Sequence, residues 1–209
     1  MQVMTMNALF EQLKHPNPHL RDRAMAEIAA THDADTLSRL LGILDDEDVV
    51  YRRAAVKALG LIGAESVTPL VEVLLNSKSV TVRGSAAKAL AQVAVNHPDM
   101  TFPEVGLQGL KTAIADPNPV VHIASVMALG EIGGAAFDIL VSELHTTENV
   151  AVQVAIVNAL AAIDDPRGVA VLTSFANDEA VDVYVRESAT SALSRLDLLM
   201  KFQRRSQPS

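Results

Sequence analysis

The side chains able to do chemistry in this chain are few, and most readings of them fail on spacing. Six histidines precede Pro16, Leu20, Asp33, Pro98, Ile123 and Thr146. None belongs to the His-Glu dyad that would have to recur on facing helices to hold two irons. There is no cysteine, which removes disulfides, thiolate metal sites, a cysteine nucleophile and any thioether to the chain itself. Asp45-Asp46-Glu47-Asp48 carries enough charge for a cation. It lacks the glycine and the alternation of a calcium loop, and reads as a solvated turn. A nucleophile elbow, a phosphate-binding loop and a dinucleotide-binding glycine turn are absent. No metal is expected. The remaining groups bind rather than react. They are a recurring arginine at positions 21, 52, 83 and 186, the cations Arg53, Lys57 and Lys88, His122, and the two tyrosines, Tyr51 and Tyr184.

Something must position these groups, and the composition points to helices. Of 209 residues, 49% are hydrophobic but only 3% are aromatic, and tryptophan is absent. A core built from Ala, Val, Leu and Ile suits closely packed helices better than a sandwich of strands. The net charge of −8 argues against a phosphate backbone as the main partner. The first six residues carry no basic segment, and no uninterrupted apolar run approaches the ~20 residues of a membrane span. The expectation is an unprocessed cytoplasmic protein without membrane insertion.

Internal repetition fixes the architecture. The segment 48–63 matches 79–90 and 118–133, and fainter copies begin at Asn17, Asn149 and Asp182. The large apolar residue of each copy falls at Ile28, Leu59, Leu90, Leu129, Leu160 and Leu193, in steps of 31, 31, 39, 31 and 33 residues. Such a step holds two helices and two short turns. The first residue of each copy, Asn17, Asp48, Ser79, Asn118, Asn149 or Asp182, is a good N-cap. Pro18 and Pro119 follow two of them, where a missing N–H costs nothing. Small residues one and four before the large apolar one share its stripe and let helices approach closely. Gly60, Gly63, Gly130, Gly133 and Gly134 are read as helix ends, and the long third step as a loop around residues 96–103. No repeat can bury its stripe alone. The fold class is therefore all-α, a right-handed α-solenoid of about six HEAT-like two-helix repeats. It forms a single array over residues 1–200, followed by a polar tail at 201–209.

Second helices line the concave side of such arrays. Positions two, three and six before the stripe residue are taken to face outward. They include Arg53, Lys57, Gly84 and Lys88 in repeats two and three, and Ile123, Val126, Met127, Val154 and Val157 in repeats four and five. The face is basic in its first half and apolar in its second, as a binding surface would be. Packing against another repeat would also explain it. The recurring arginine, replaced by His122 and Gln153 in two copies, suits a structural bridge to an acidic or carbonyl group of the next repeat.

The phrases Val-x-Val-Arg-x-x-Ala-Ala-x-Ala-Leu and Ala-Leu-Gly-x-Ile-Gly resemble the repeats of the phycobiliprotein lyase HEAT-like family. The length, the six repeats and the opening Asn7–Leu13 resemble the smaller, F-type members, which act with an E-type subunit on the phycocyanin α subunit. The resemblance implies non-covalent binding of phycocyanobilin as substrate. It also implies delivery to a cysteine of the apo-phycocyanin α subunit, where a thioether forms. Relatives that also isomerise the bilin carry a His-Cys motif, whereas this chain has His97-Pro98, which implies transfer without isomerisation. On that reading Arg53, Lys57 and Lys88 hold bilin carboxylates, Tyr51 and Tyr184 stack or hydrogen-bond unless they pack at a repeat seam, His122 is a ligand or proton donor unless it is structural, and the apolar face from Ile123 to Val157 covers the rings or docks the E-type partner. A bilin-binding or phycobilisome-disassembly adaptor without ligase activity, and a pure protein-binding scaffold, are the alternatives.

Overall fold

The computed structural model describes residues 4–206, and among them it shows twelve α-helices, two short 3-10 turns and no strand. The helices are α1 (Met6–Gln12), α2 (Pro18–Ala30), α3 (Ala34–Gly42), α4 (Val49–Ile62), α5 (Ala64–Asn76), α6 (Val80–Asn96), α7 (Glu104–Ala113), α8 (Pro119–Ile132), α9 (Phe137–Thr146), α10 (Val150–Ala162), α11 (Arg167–Asn177) and α12 (Val183–Ser206). Taken in pairs they are the six expected two-helix repeats, and the loop expected near residue 100 separates α6 from α7. Helix α12 runs six residues past the expected end of the array. The chain forms two compact units, Met1–Ala128 and Leu129–Ser209.

All six expected caps are in place. The Asp48 carboxylate accepts from the backbone N–H groups of Val50 and Tyr51 at 2.8 and 3.3 Å. Asn17, Asn118, Asn149 and Asp182 accept at 2.9–3.0 Å from the residue two ahead, and the Ser79 hydroxyl accepts from Val82. Each satisfies a donor that the helix itself cannot.

In the first unit Ile28, Leu59 and Leu90 are fully buried, together with the small residues Ala24, Ala55, Ala58, Ala86 and Ala89. The first helices contribute Leu40, Leu44, Leu70, Leu74 and Leu110 to the same core. Gly60 and Gly130 do not end helices as expected; they lie inside α4 and α8. A Cβ on Gly60 would stand 2.3 Å from the Gln92 Cβ, so this glycine is there to admit α6. Gly63 does end a helix, at φ 86°, a conformation that favours glycine.

The recurring arginine grips its own repeat, and in Arg83 it also makes the expected bridge to the next. Arg21 donates to the carbonyls of His15 and Pro16, Arg52 to that of Asp46, and Arg83 to those of Ser77 and Lys78 at 3.0 and 3.3 Å. A guanidinium seven residues before the stripe sits in the first turn of its helix. The carbonyls of the turn just before that helix are within its reach in all three copies. Arg83 alone of the three also crosses to the following repeat, where its Nε and Nη2 donate to Asp116 at 2.7 and 3.1 Å.

In the second unit Leu140, Leu144 and Leu172 are fully buried, and Leu160 nearly so. The Arg167 guanidinium lies 4.2 Å over the Phe137 ring and pairs with Asp138 and Asp165. Gln153, at the arginine position of α10, donates weakly to the Leu144 carbonyl at 3.5 Å.

Residues 119–146 form a 28-residue helical stretch that is apolar enough to cross a membrane by length and composition, although His122, Glu131, Asp138 and Glu143 interrupt it. The stretch is not one rod. Gly133, at φ 79°, and a 3-10 turn part α8 from α9. The longer of the two, 14 residues, extends only about 21 Å against a hydrocarbon core of ~30 Å.

Candidate functional site

A groove opens across the second helices of the first three repeats. Asp22, Met25 and Ala26 of α2, Lys57 and Leu61 of α4, and Gln92 and Asn96 of α6 line a cavity of about 350 Å³. Its walls are set by the repeat. Met25 follows Ala24, which is locked in the core, and Lys57 precedes the buried pair Ala58 and Leu59. Gly60 brings α6 close enough for Gln92 and Asn96 to form the far wall. The floor is apolar (Met25, Ala26, Leu61), with one ammonium group, one carboxylate and two amides around it. No ion pair joins Asp22 to Lys57 among the described residues, so both remain open to a ligand.

The three expected cations are exposed. Arg53 and Lys88 are exposed and stand one helical turn before Lys57 and Gln92, on the same faces of α4 and α6. Of the three cations, Lys57 alone is among the residues that line the groove.

The remaining expected residues fare less well. Tyr51 is buried; Lys14 Nζ lies 4.5 Å above its ring, and burial raises its hydroxyl pKa. It packs rather than meets a ligand. His122 is buried too. Val126 and Val157 are wholly buried and drop out of the expected apolar face. Gly84 is buried as well. A step of three residues turns a helix by 300°, which is only 60° from the stripe, so Val126 and Val157, three before their leucines, turn toward the core, whereas Gly84, six before Leu90, is covered by Val120. Met127 is exposed, while Ile123 and Val154 are half-buried.

The spacing rule, counted only backwards from the stripe residue and only in repeats two to five, did not reach Asp22, Met25, Ala26, Leu61, Gln92 or Asn96. Leu61 and Gln92 stand two residues after the stripe residue, 200° around the helix and as far from the core as Lys57.

Residues 6–101 and 104–195 match the family model for HEAT repeats. The chain is 57% identical over 201 residues, 96% of its own length and all of the relative's, to an uncharacterized phycocyanin operon protein Z of Pseudanabaena tenuis. It is 33% identical over 178 residues, 82% of its length and 95% of the relative's, to the bilin biosynthesis protein CpeZ of a Synechococcus. Among solved structures, the complex of CpcE and CpcF of phycocyanin lyase from Nostoc matches with a TM-score of 0.49 and 18% identity, over 74% of this chain and 96% of that one.

Proposed function

The chain belongs to the HEAT-repeat family, and from that premise we propose that it is one subunit of a two-subunit phycobilin lyase. In this reading it takes the F-type place beside an E-type partner and delivers phycocyanobilin to a cysteine of the phycocyanin α subunit. The groove over α2, α4 and α6 is the observation that carries the proposal. An open-chain tetrapyrrole offers a flat apolar body and two propionates. Met25, Ala26 and Leu61 give the body an apolar floor, and Lys57, with Arg53 and Lys88 one turn away, gives the propionates their counter-charges. Kinship with a bilin biosynthesis protein supports the ligand. Kinship with a protein named for the phycocyanin operon supports the acceptor.

The chemistry asked of this chain is positioning. The acceptor thiolate belongs to the phycobiliprotein, and a chain without cysteine cannot trap the bilin as a thioether of its own. Holding the bilin beside that thiol turns a bimolecular encounter into an effectively intramolecular one. Co-expression of the apo-phycocyanin α subunit, the E-type subunit and a source of phycocyanobilin, with and without this chain, tests the proposal. Bilin fluorescence on the denatured α subunit is expected only when this chain is present. Equal attachment without it would refute the proposal.

A further inference from the structure

We propose that the groove over α2, α4 and α6 reads an open-chain tetrapyrrole from end to end. The Asn96 carboxamide pairs with one terminal lactam, the Asp22 carboxylate accepts from ring N–H groups at the other end, and Lys57 takes the propionates between them. This rests on the bilin reading above, and adds to it what tells an open chain from a closed ring.

The groove runs obliquely across its helices. Asp22 and Ala26 of α2 stand six and two residues before Ile28. Lys57 and Leu61 of α4 stand two before and two after Leu59, and Gln92 and Asn96 of α6 stand two and six after Leu90. Each repeat therefore carries the groove on by four residues, about one helical turn. The result is a track with Asp22 at one end, Lys57 in the middle and Asn96 at the other. Among the three helices only α6 reaches that far end. Helix α2 stops two residues after Ile28 and α4 three after Leu59, whereas α6 runs six past Leu90, to Asn96. The extra turn is held to α4 by His97, whose Nε2 donates to the Leu61 carbonyl at 3.1 Å. A carbonyl can only accept, so the ring proton sits on Nε2.

Asn96 differs from its counterparts. Asn76 and Asn177 also close their helices, and each folds its carboxamide back to donate at 2.9 Å to the carbonyl four residues before. Asn96 makes no such bond. Its Nδ2 is turned across to α4, 3.2 Å from where a Cβ on Gly60 would stand. Among the described residues no side-chain hydrogen bond or ion pair engages Asp22, Lys57, Gln92 or Asn96. Four polar side chains thus converge on one groove with their bonding capacity unspent, as in a ligand site.

Their order matches the ligand. An open-chain tetrapyrrole carries a lactam on each terminal ring and its propionates on the two middle rings. A carboxamide offers donor and acceptor side by side, so it closes a paired hydrogen bond with a lactam. Gln92 presents the same groups one turn before. A carboxylate only accepts, and beside a propionate it repels. Asp22 therefore turns propionates away from its end and suits ring N–H groups, while Lys57 stands where the propionates fall. A porphyrin brings the same propionates but no lactam.

The test uses the full chain, with phycocyanobilin and protoporphyrin IX as probes and absorbance titration as the readout. The wild-type chain is expected to bind phycocyanobilin at least about tenfold more tightly than protoporphyrin. Asn96→Leu is expected to weaken phycocyanobilin binding about tenfold and to leave protoporphyrin binding as it was. Asp22→Asn is expected to lower the pH at which the bound bilin loses its ring proton, because a neutral amide no longer favours the protonated rings. Both residues are exposed, so the melting temperature should hold, and the comparison of the two pigments on the wild-type chain needs no variant. Equal binding of the two pigments, a loss in Asn96→Leu that falls equally on protoporphyrin, or either variant behaving as the wild type overturns the end-to-end reading and leaves bilin carriage in the groove standing. A wild-type chain that binds no phycocyanobilin overturns both.

Discussion

Gly60 of α4 and Gln92 of α6 stand so close that a Cβ on the first would meet the Cβ of the second at 2.3 Å. The groove that holds Lys57 depends on this contact, because it sets how near the wall formed by Gln92 and Asn96 comes to α4. Alanine would add helix propensity worth up to about 1 kcal/mol, but overpacking two helix backbones costs about 1–3 kcal/mol. Gly60→Ala is therefore expected to lower the melting temperature by a few degrees. Gly60→Val should lower it further, with weaker bilin binding in both. Thermal unfolding followed by circular dichroism checks the first effect. A stabilised Gly60→Ala protein would show that the helices can part freely.

The caps offer a separate measure of the repeat. Asp48 accepts from two N–H groups of α4, and its replacement by alanine is expected to cost about 0.5–2 kcal/mol. Asp48→Asn should cost less, because the amide oxygen still accepts. Urea unfolding of the two variants beside the wild type gives the comparison. Equal stability of Asp48→Ala would mean that water replaces the cap without loss.

The pH dependence of stability follows from two groups with opposite signs. Hydrogen bonds from Arg83 hold the Asp116 carboxyl below the usual carboxylate range. Its contribution is present above the unfolded pKa of about 4 and is lost as the pH falls through the folded value. His32 is raised above 6.5, first by its bond to the Ala29 carbonyl and then by Glu65. Its contribution is present below the unfolded value and is lost as the pH rises through the folded one. Since Glu65 is well exposed, the histidine effect should be small. Asp116→Asn is expected to remove about 1–3 kcal/mol at pH 7 and to flatten the acid limb of the stability curve. A variant with an unchanged acid limb would show that Asp116 does not govern it.

Much of the fold was legible because helical repeats announce themselves by period. Six capping residues in register located six second helices, and the small residues beside each stripe located the core. The site was legible only in part. Lys57 was found because two residues back from a buried leucine points outward on any helix. Val126 and Val157 were misplaced because three residues back does not. Tyr51 stands in the first turn of α4, where exposure depends on whether a neighbour such as Lys14 covers it, and no local pattern reveals that. The partners of the recurring arginines depend on turn geometry that side-chain spacing does not encode. Gly60 illustrates the same limit, since one residue serves equally well as a helix end or as a close helix contact.

The most direct measurement is the rate of phycocyanobilin transfer to the apo-phycocyanin α subunit, made with the E-type subunit and either this chain or its Arg53→Glu, Lys57→Glu variant. Both side chains are exposed, so the melting temperature and the complex with the E-type subunit should not change. Loss of one charge-assisted contact to a propionate is worth about tenfold or more in rate. Transfer at least about tenfold slower, with folding and complex intact, is the expected result. An unchanged rate would contradict the claim that bilin is carried in the groove over α2, α4 and α6.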